Sequence, residues 1–200
     1  MSKGNLIVIS GPSGAGKSTV VNKAMSFRDD ICFSTSVTTR APRPGEKDGV
    51  DYFFIDQKRF EEMVAGNELL EHAVYVSNSY GTPRKFVEDR LSEGMNVILD
   101  IEIQGASQVH KNKPEAVMVF IVPPSIDELR KRLTGRGTET EAAIEACIQR
   151  AIQECSEADF YDYIIINDDL EKAAEEMSSI INAELCRFDK RRDILNTFGK

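Results

Sequence analysis

The residues best suited to chemistry lie in a glycine-rich stretch near the start of the chain. Gly11, Gly16, Lys17 and Ser18 occupy the specified positions of the pattern G-x-x-x-x-G-K-[ST], the phosphate-binding P-loop. Glycines let such a backbone wrap a phosphate without Cβ clashes, and its N–H groups then point at the anion. The lysine supplies charge to the β- and γ-phosphates, and the serine hydroxyl can hold Mg²⁺. We therefore predict that a nucleoside triphosphate binds to Gly11, Pro12, Ser13, Gly14, Ala15, Gly16, Lys17, Ser18 and Thr19.

A carboxylate at the end of an apolar run is the next candidate. Residues 95–100 indicate a buried strand that ends in Asp100. In proteins with this type of loop, an acid so placed completes the magnesium site. We predict Ser18 and Asp100 as the metal-binding residues, with Asp100 acting through a water molecule. A strand-end aspartate that only caps a turn is the structural alternative.

Two arginine clusters could provide the positive charge that an acidic chain needs in order to bind an anionic nucleotide. The chain carries a formal charge of −8, which argues against binding nucleic acid by bulk electrostatics. A site for an anionic nucleotide therefore needs a local concentration of cations. Arg40 and Arg43 lie in a proline-stiffened segment, and Arg132 and Arg136 lie near a glycine-containing polar stretch. Arginine suits bidentate phosphate recognition, although a solvated loop or a cation at a helix end would explain each cluster without a ligand.

Polar side chains between the clusters could bind an acceptor. A carboxylate such as Glu71 can accept two N–H donors from a guanine edge, whereas Tyr52, Tyr80 and Thr82 can donate to a phosphate. Each of these residues, taken alone, is better explained by a scaffold role.

Composition places the chain among ordinary single-domain proteins. It has 200 residues, of which 41% are hydrophobic, and no apolar run approaches the ~20 residues of a membrane span. No signal peptide is evident, so we expect a cytoplasmic protein without membrane attachment. The four cysteines are far apart and read as free thiols rather than a disulfide or metal site.

Alternating strand and helix patterns predict an α/β fold around a parallel sheet. The strands are Leu6–Ser10, 95–100, Val117–Val122 and Tyr163–Ile166, and the helices include 17–27 and 171–187. Thr82 is expected to cap a helix that begins at Pro83, and Ser125 with Glu128 forms a capping box. Residues 34–81 depart from this rhythm: strands at 33–39, 52–55 and 69–75 and a helix at 56–65 indicate a small α+β insertion. Residues 134–141 read as a mobile flap.

In total, the ordered motifs resemble those of guanylate kinases. The resemblance covers nearly the whole chain and is carried by residues 11–19, 33–40, 43–46, 49–54, 70–71, 80–82, 99–106, 123–125, 132–137 and 161–168.

The resemblance implies a three-layer P-loop NTPase fold with a parallel sheet core, a small α+β nucleotide-binding insertion and a lid. It implies a core made of residues 1–33, 83–123 and 148–200, a GMP-binding insertion at 34–82, and a lid at 124–147. The implied activity is Mg-dependent transfer of the ATP γ-phosphoryl group to GMP or dGMP, giving ADP and GDP.

The resemblance also implies a role for each matching residue. Ser36, Arg40, Arg43, Tyr52 and Tyr80 would hold the GMP phosphate. Glu71 and Thr82 would read the guanine, and Asp100 and Glu102 would complete the acceptor site. Asn167 would lie near the adenine. Arg132 and Arg136 would act on the ATP phosphates, and they complete a catalytic set with Lys17, Arg40 and Arg43.

Two positions depart from the family's pattern. Glu102 stands where the family usually has aspartate, so its contact to GMP or to a magnesium water is expected to be rearranged. Cys147 stands where the family usually has an arginine on the helix after the lid, and Arg150 follows one turn later. Arg150 either substitutes by a different path or leaves the closed lid one cation short, so slower phosphoryl transfer is the hypothesis.

Three rivals remain at this point. A non-catalytic guanylate-kinase-like binding module predicts a damaged P-loop, but Lys17, Ser18 and Asp100 are intact. A GTPase switch would need N-K-x-D, whereas residues 112–115 end in glutamate. A kinase for another nucleoside monophosphate differs only in base recognition. We expect a monomer or a small homo-oligomer.

Overall fold

The predicted parallel sheet is present and has a fifth strand. The computed structural model describes residues 3–75, 77–135 and 140–199. The strands of the sheet are β1 (Leu6–Ser10), β2 (Ile31–Phe33), β7 (Asn96–Asp100), β8 (Val117–Val122) and β9 (Tyr163–Ile166). Their order is β2-β7-β1-β8-β9, with every neighbouring pair parallel. The three-residue β2 was not predicted, because so short a run carries little periodicity.

Helices cover both faces of this sheet. Helices α1 (Lys17–Met25) and α7 (Leu170–Leu185) pack on one face, and α3 (Arg84–Ser92) and α4 (Ile103–Asn112) pack on the other. Alternate residues of β1 serve the two sides: Ile7 and Ile9 face the first pair of helices, whereas Leu6 and Val8 face the second. This arrangement confirms the three-layer α/β fold with a parallel core.

A second sheet lies within the stretch predicted as an insertion. Its order is β4-β3-β6-β5, formed by β3 (Val37–Thr38), β4 (Phe53–Phe54), β5 (Leu69–Tyr75) and β6 (Asn78–Pro83). Helix α2 (Gln57–Ala65) begins after Asp56, whose side chain accepts a hydrogen bond from the Arg59 N–H. Val37, Phe60, Met63 and Leu69 form a small core of their own. The boundaries 34–82 for the insertion and 124–147 for the lid stay predictions.

Strand β5 contains a β-bulge. Leu69 pairs with Pro83 and His72 pairs with Gly81, so Leu70 and Glu71 together oppose Thr82 alone. The bulge separates neighbouring side chains: Leu70 packs into the core beneath α3, and Glu71 lines a cavity beside the main sheet.

Two further helices pack against each other around a separate apolar cluster. These are α5 (Ile126–Gly135) and α6 (Glu141–Ser156), and their buried contacts are Leu129, Leu133, Ile144, Ile148 and Ala151. Only half of the expected capping box forms: the Ser125 hydroxyl accepts from the Glu128 N–H, but the Glu128 carboxylate pairs with Arg132. Arg136 lies outside the described residues.

Several predicted helix ends were wrong. Helix α1 ends at Met25 rather than at residue 27. Pro83, not Thr82, is the residue before α3, because the Thr82 hydroxyl donates to Glu71 instead. Helix α7 ends at Leu185, and α8 (Phe188–Arg191) and a 3-10 helix (Arg192–Phe198) follow. Within the described chain, no helix is both long enough and apolar enough to cross a membrane.

Candidate active site

The loop between β1 and α1 requires glycine at three positions. Gly11, Gly14 and Gly16 have φ values of 145°, 93° and 87°, a region that side chains with a Cβ rarely adopt. A Cβ on Gly11 would also overlap the backbone carbonyl of Ile121 in β8. The Ala15 N–H donates to the Pro12 carbonyl at 3.0 Å and closes the turn. The predicted loop residues therefore form one tight turn, with Lys17, Ser18 and Thr19 in the first turn of α1.

Lys17, Ser18 and Asp100 converge at the mouth of this loop. Lys17 Nζ lies 3.9 Å from Asp100 Oδ1, and the Ser18 hydroxyl donates to Asp100 Oδ2 at 3.2 Å. Burial raises the pKa of Asp100, while the charge of Lys17 and the hydrogen bond from Ser18 act in the opposite direction. The parallel strands β1 and β7 bring these groups together, because Asp100 pairs with Ile9 at the end of β1.

The donor set fits Mg²⁺ in a partly protein-bound form. A hydroxyl and a carboxylate are oxygen ligands of the kind that this ion prefers, and it usually takes only one or two of them from the protein. Among residues 3–75, 77–135 and 140–199, no group of three or more His, Cys, Asp or Glu side chains could hold a metal by itself.

Arg132 and Asn167 hold the back of the loop. The Asn167 side chain is buried and donates to the Ala15 carbonyl at 2.7 Å. Arg132 donates to the Asn167 carbonyl at 2.8 Å and to Glu128 at 2.9 Å. Helix α5 thus brings the Arg132 guanidinium directly against the loop between β1 and α1.

A cavity of about 270 Å³ lies between the loop and the second sheet. It joins eight of the residues singled out from the sequence: Gly11, Lys17, Ser36, Tyr52, Glu71, Tyr80, Asp100 and Glu102. Of the other wall residues, Gly81, Ile101, Ile103 and Gly105 lie in motifs quoted from the sequence but were given no binding role, and Ala73 and Glu154 were missed. Ile101 and Ile103 flank a predicted residue and could have been found, but Glu154 lies far along the chain and belongs to no motif.

Glu71 is a buried carboxylate with one oxygen already bonded. The Thr82 hydroxyl donates to Glu71 Oε1 at 2.7 Å, and both residues are almost fully buried. Burial raises the pKa of Glu71, and the hydrogen bonds from Thr82 only partly oppose this effect. The second oxygen, Oε2, lies beside Gly105, and both residues line the cavity.

Arg40 is held by an acid that the sequence analysis did not select. Its guanidinium donates to both oxygens of Glu46, at 2.9 and 2.8 Å, and lies 5.4 Å from the centroid of the Tyr52 ring. This pair raises the pKa of Arg40 and lowers the pKa of Glu46 to about 2. Neither Arg40 nor Arg43 lines the described cavity, and the Arg43 side chain is exposed.

Arg150 bridges α6 and the cavity wall. Its guanidinium donates to Glu102 Oε2 at 2.5 Å and to Glu154 Oε1 at 2.9 Å. Glu154 is buried, which raises its pKa, and Arg150 opposes that shift. Cys147, one turn earlier, packs instead against the apolar cluster between α5 and α6.

Comparisons with known proteins agree on one family. Residues 3–184 match the family model described as Guanylate kinase. A curated guanylate kinase of Bacillus anthracis is 50% identical over 189 residues, which cover 94% of this chain and 92% of that protein. One of Clostridioides difficile (strain 630) is 46% identical, with 96% and 94% covered. The crystal structure of guanylate kinase from Anaplasma phagocytophilum superposes with a TM-score of 0.78 at 37% identity, covering 98% of this chain and 96% of that one.

Proposed function

The chain belongs to the guanylate kinase family, and from that premise we propose that its loop and its cavity are the two halves of one phosphoryl-transfer centre. The protein is a nucleoside monophosphate kinase, an ATP:GMP phosphotransferase. The observation that carries the proposal is the shared cavity, whose wall includes both Lys17 of the phosphate loop and Glu71 of the second sheet.

The donor half would bind ATP. Residues 11–19 would surround its phosphates with backbone N–H groups, and Lys17 and Arg132 would supply positive charge. Arg136 is proposed as a further cation here on the sequence alone. Ser18, and Asp100 through water, would hold Mg²⁺, which would supply positive charge that offsets the charge of the phosphates. Asn167 is proposed to lie near the adenine, a role supported by its contact with Ala15.

The acceptor half would bind GMP or dGMP. Glu71 Oε2 is proposed to accept N–H donors of guanine, while Thr82 keeps the other oxygen occupied. Ser36, Tyr52 and Tyr80 line the same cavity, where their hydroxyls would donate to the acceptor phosphate. Arg40 and Arg43 would join them by movement of the segment that carries them, which is exposed at Arg43.

The reaction needs positioning and charge more than covalent chemistry. An oxygen of the acceptor phosphate is already anionic and can attack the γ-phosphorus of ATP without a general base. The bond to the β-phosphate oxygen breaks, and ADP leaves with the electron pair. Residues of this chain would align the two phosphates and stabilise the charge on the transferring group.

Arg150 is proposed to take the part of the cation that the family usually carries at position 147. Its path differs, because it reaches Glu102 from one turn farther along α6. The longer side chain of glutamate at 102 is consistent with this longer reach. Cytoplasmic location, a monomeric or small homo-oligomeric state, and the lack of nucleic-acid or membrane partners stay predictions.

A coupled assay tests the base preference. ADP release from ATP is measured with GMP, AMP, UMP and CMP in parallel, with and without Mg²⁺. We expect Mg-dependent activity with GMP and little with the others. Activity with AMP and none with GMP would support a kinase for another nucleotide, and no activity with any acceptor would support the binding-module alternative.

The same assay tests the residue that reads the base. Replacing Glu71 by alanine is expected to raise the KM for GMP far more than the KM for ATP, because only the acceptor meets this side chain. Equal changes in the two KM values would contradict its base-reading role.

A further inference from the structure

Helix α4 approaches the bulged strand β5 at two points, one helical turn apart. At the first point, Gly105 lies so close to Glu71 that a Cβ there would be 2.5 Å from Glu71 Oε2. At the second, the amide of Gln108 meets the backbone of His72, the residue after Glu71. Residues three apart lie on the same side of a helix, so one face of α4 contacts both positions.

The side-chain amide of Gln108 makes two hydrogen bonds to the backbone of His72. The His72 N–H donates to Gln108 Oε1 at 3.2 Å, and Gln108 Nε2 donates to the His72 carbonyl at 2.8 Å. The bulge directly precedes this residue, at the place where two residues of β5 oppose one of β6. A bulge interrupts the regular ladder, and here a side chain of the core helix occupies the backbone groups beside it.

These contacts fix both ends of the Glu71 side chain. Its backbone is held from one side by the link between Gln108 and His72, and its Oε1 is held by Thr82. Its Oε2 has room to face the cavity only because position 105 carries no Cβ. Since Oε1 is bonded to Thr82, Oε2 is the oxygen of this carboxylate that would bind the base.

We propose that Gln108 is a positioning residue for base specificity, acting through His72 on Glu71, with Gly105 providing the space that this position requires. The proposal rests on the proposed function, because it assumes that Glu71 reads guanine. Gln108 itself touches no reacting atom. Its effect is to keep β5 at one distance from α4, so that Glu71 Oε2 stays in the position where guanine donors reach it.

The readout is discrimination between GMP and inosine monophosphate, which lacks the 2-amino group. A carboxylate held in place bonds this group in GMP and has nothing to bond there in the analogue. Loss of the Gln108 side chain is expected to lower the ratio of kcat/KM for GMP to kcat/KM for inosine monophosphate by about tenfold, equivalent to ~1.4 kcal/mol. A merely structural role would lower both rates together and leave the ratio unchanged.

The variants are Gln108→Ala and Gln108→Met, the second of which keeps the side-chain length and removes both hydrogen bonds. Gly105→Ala tests the other contact, because the added methyl group must displace the Glu71 carboxylate. The matched control is Gln104→Ala, which removes an exposed glutamine from the same helix. KM for ATP is measured for each variant and is expected to stay within about twofold of the parent.

Glu71→Gln separates this inference from the proposed function. If Glu71→Gln abolishes discrimination and Gln108→Met lowers it, the inference stands. If Glu71→Gln abolishes discrimination but neither Gln108 variant changes the ratio, Gln108 has no positioning role and the proposed function survives. If Glu71→Gln leaves the ratio intact, the base-reading role of Glu71 and the positioning role of Gln108 are both overturned.

Discussion

Burial of the Glu71 carboxyl, which is proposed to read the base, lowers the stability of the fold when this group is ionised. The carboxyl is almost fully buried with one hydroxyl donor, and its pKa is raised above the ordinary 4.5 mainly by desolvation. The folded state therefore holds the proton more tightly than the unfolded chain does. Stability accordingly falls as pH rises from the ordinary pKa through the raised one, and the full penalty applies above that window.

Replacing Glu71 by glutamine is expected to stabilise the ligand-free protein and to weaken GMP binding. The amide has no charge to desolvate, so the Tm at pH 8 should exceed that of the parent, and the gap should narrow as pH falls toward 4.5. Thermal unfolding between pH 5 and pH 8 measures this. Glu115→Gln, an exposed substitution, is the control. A gap that stays constant with pH would contradict the assignment.

The ion pair between Arg150 and Glu102 gives a second residue-scale prediction. Arg150→Gln and Glu102→Gln are each expected to lower kcat by about tenfold, and the double variant should lose no more than either alone, because both remove one interaction. Steady-state kinetics measure the cycle. Arg130→Gln is the control, since that arginine pairs with Glu141 and Glu145 away from the cavity wall. Multiplicative losses would show that the two residues act independently.

Elements with long apolar runs were predictable, and short or interrupted ones were not. Strands β1, β8 and β9 match their predicted bounds, because each is an almost continuous run of apolar residues. Strand β6 was missed, since its Asn, Ser, Gly and Pro residues resemble a loop. The bulge in β5 also leaves no sequence signal, because it depends on how β6 pairs with it. Glu71 could thus be selected from the sequence, but the bulge that sets the direction of its side chain could not be predicted.

Helices α5 and α6 form an element pair with a core of its own. Ile144 is buried in that cluster, and the cluster shares none of its residues with the two clusters that flank the main sheet. Large-to-small changes at such positions cost about 2–5 kcal/mol. Because the cluster is separate, we expect the loss to appear as local opening of this pair rather than as unfolding of the sheet.

Ile144→Ala is therefore expected to lower kcat while the KM for GMP changes little. Amide hydrogen exchange should accelerate in α5 and α6, whereas amides of β1 and β8 keep their protection. Ile152→Ala, a partly exposed residue of the same helix, is the control. Equal acceleration across the sheet and the helix pair would show that the two unfold together.

At the scale of the whole molecule, the charge distribution was predicted only in part. A net charge of −8 indicated that cations must be concentrated at the site, and Arg40, Arg132 and Arg150 do lie around the loop and the cavity. The partners of Arg40 and Arg150 could not be foreseen, because these acids are either far away in the chain or were given no role from the sequence. Glu46 pairs with Arg40, and Glu102 and Glu154 both pair with Arg150.

Because Arg40 pairs with Glu46, another anion can bind this guanidinium only by exchange with the Glu46 carboxylate. The Arg40 guanidinium already has a resident counter-ion bound through both oxygens. A phosphate that reached Arg40 would displace a carboxylate rather than water, so the number of ion pairs would stay nearly the same. Free inorganic phosphate would gain few other contacts to offset the free-energy cost of displacing Glu46, whereas a nucleotide would also bind through its base. If Arg40 binds the acceptor phosphate as proposed, this exchange would favour the nucleotide over other anions.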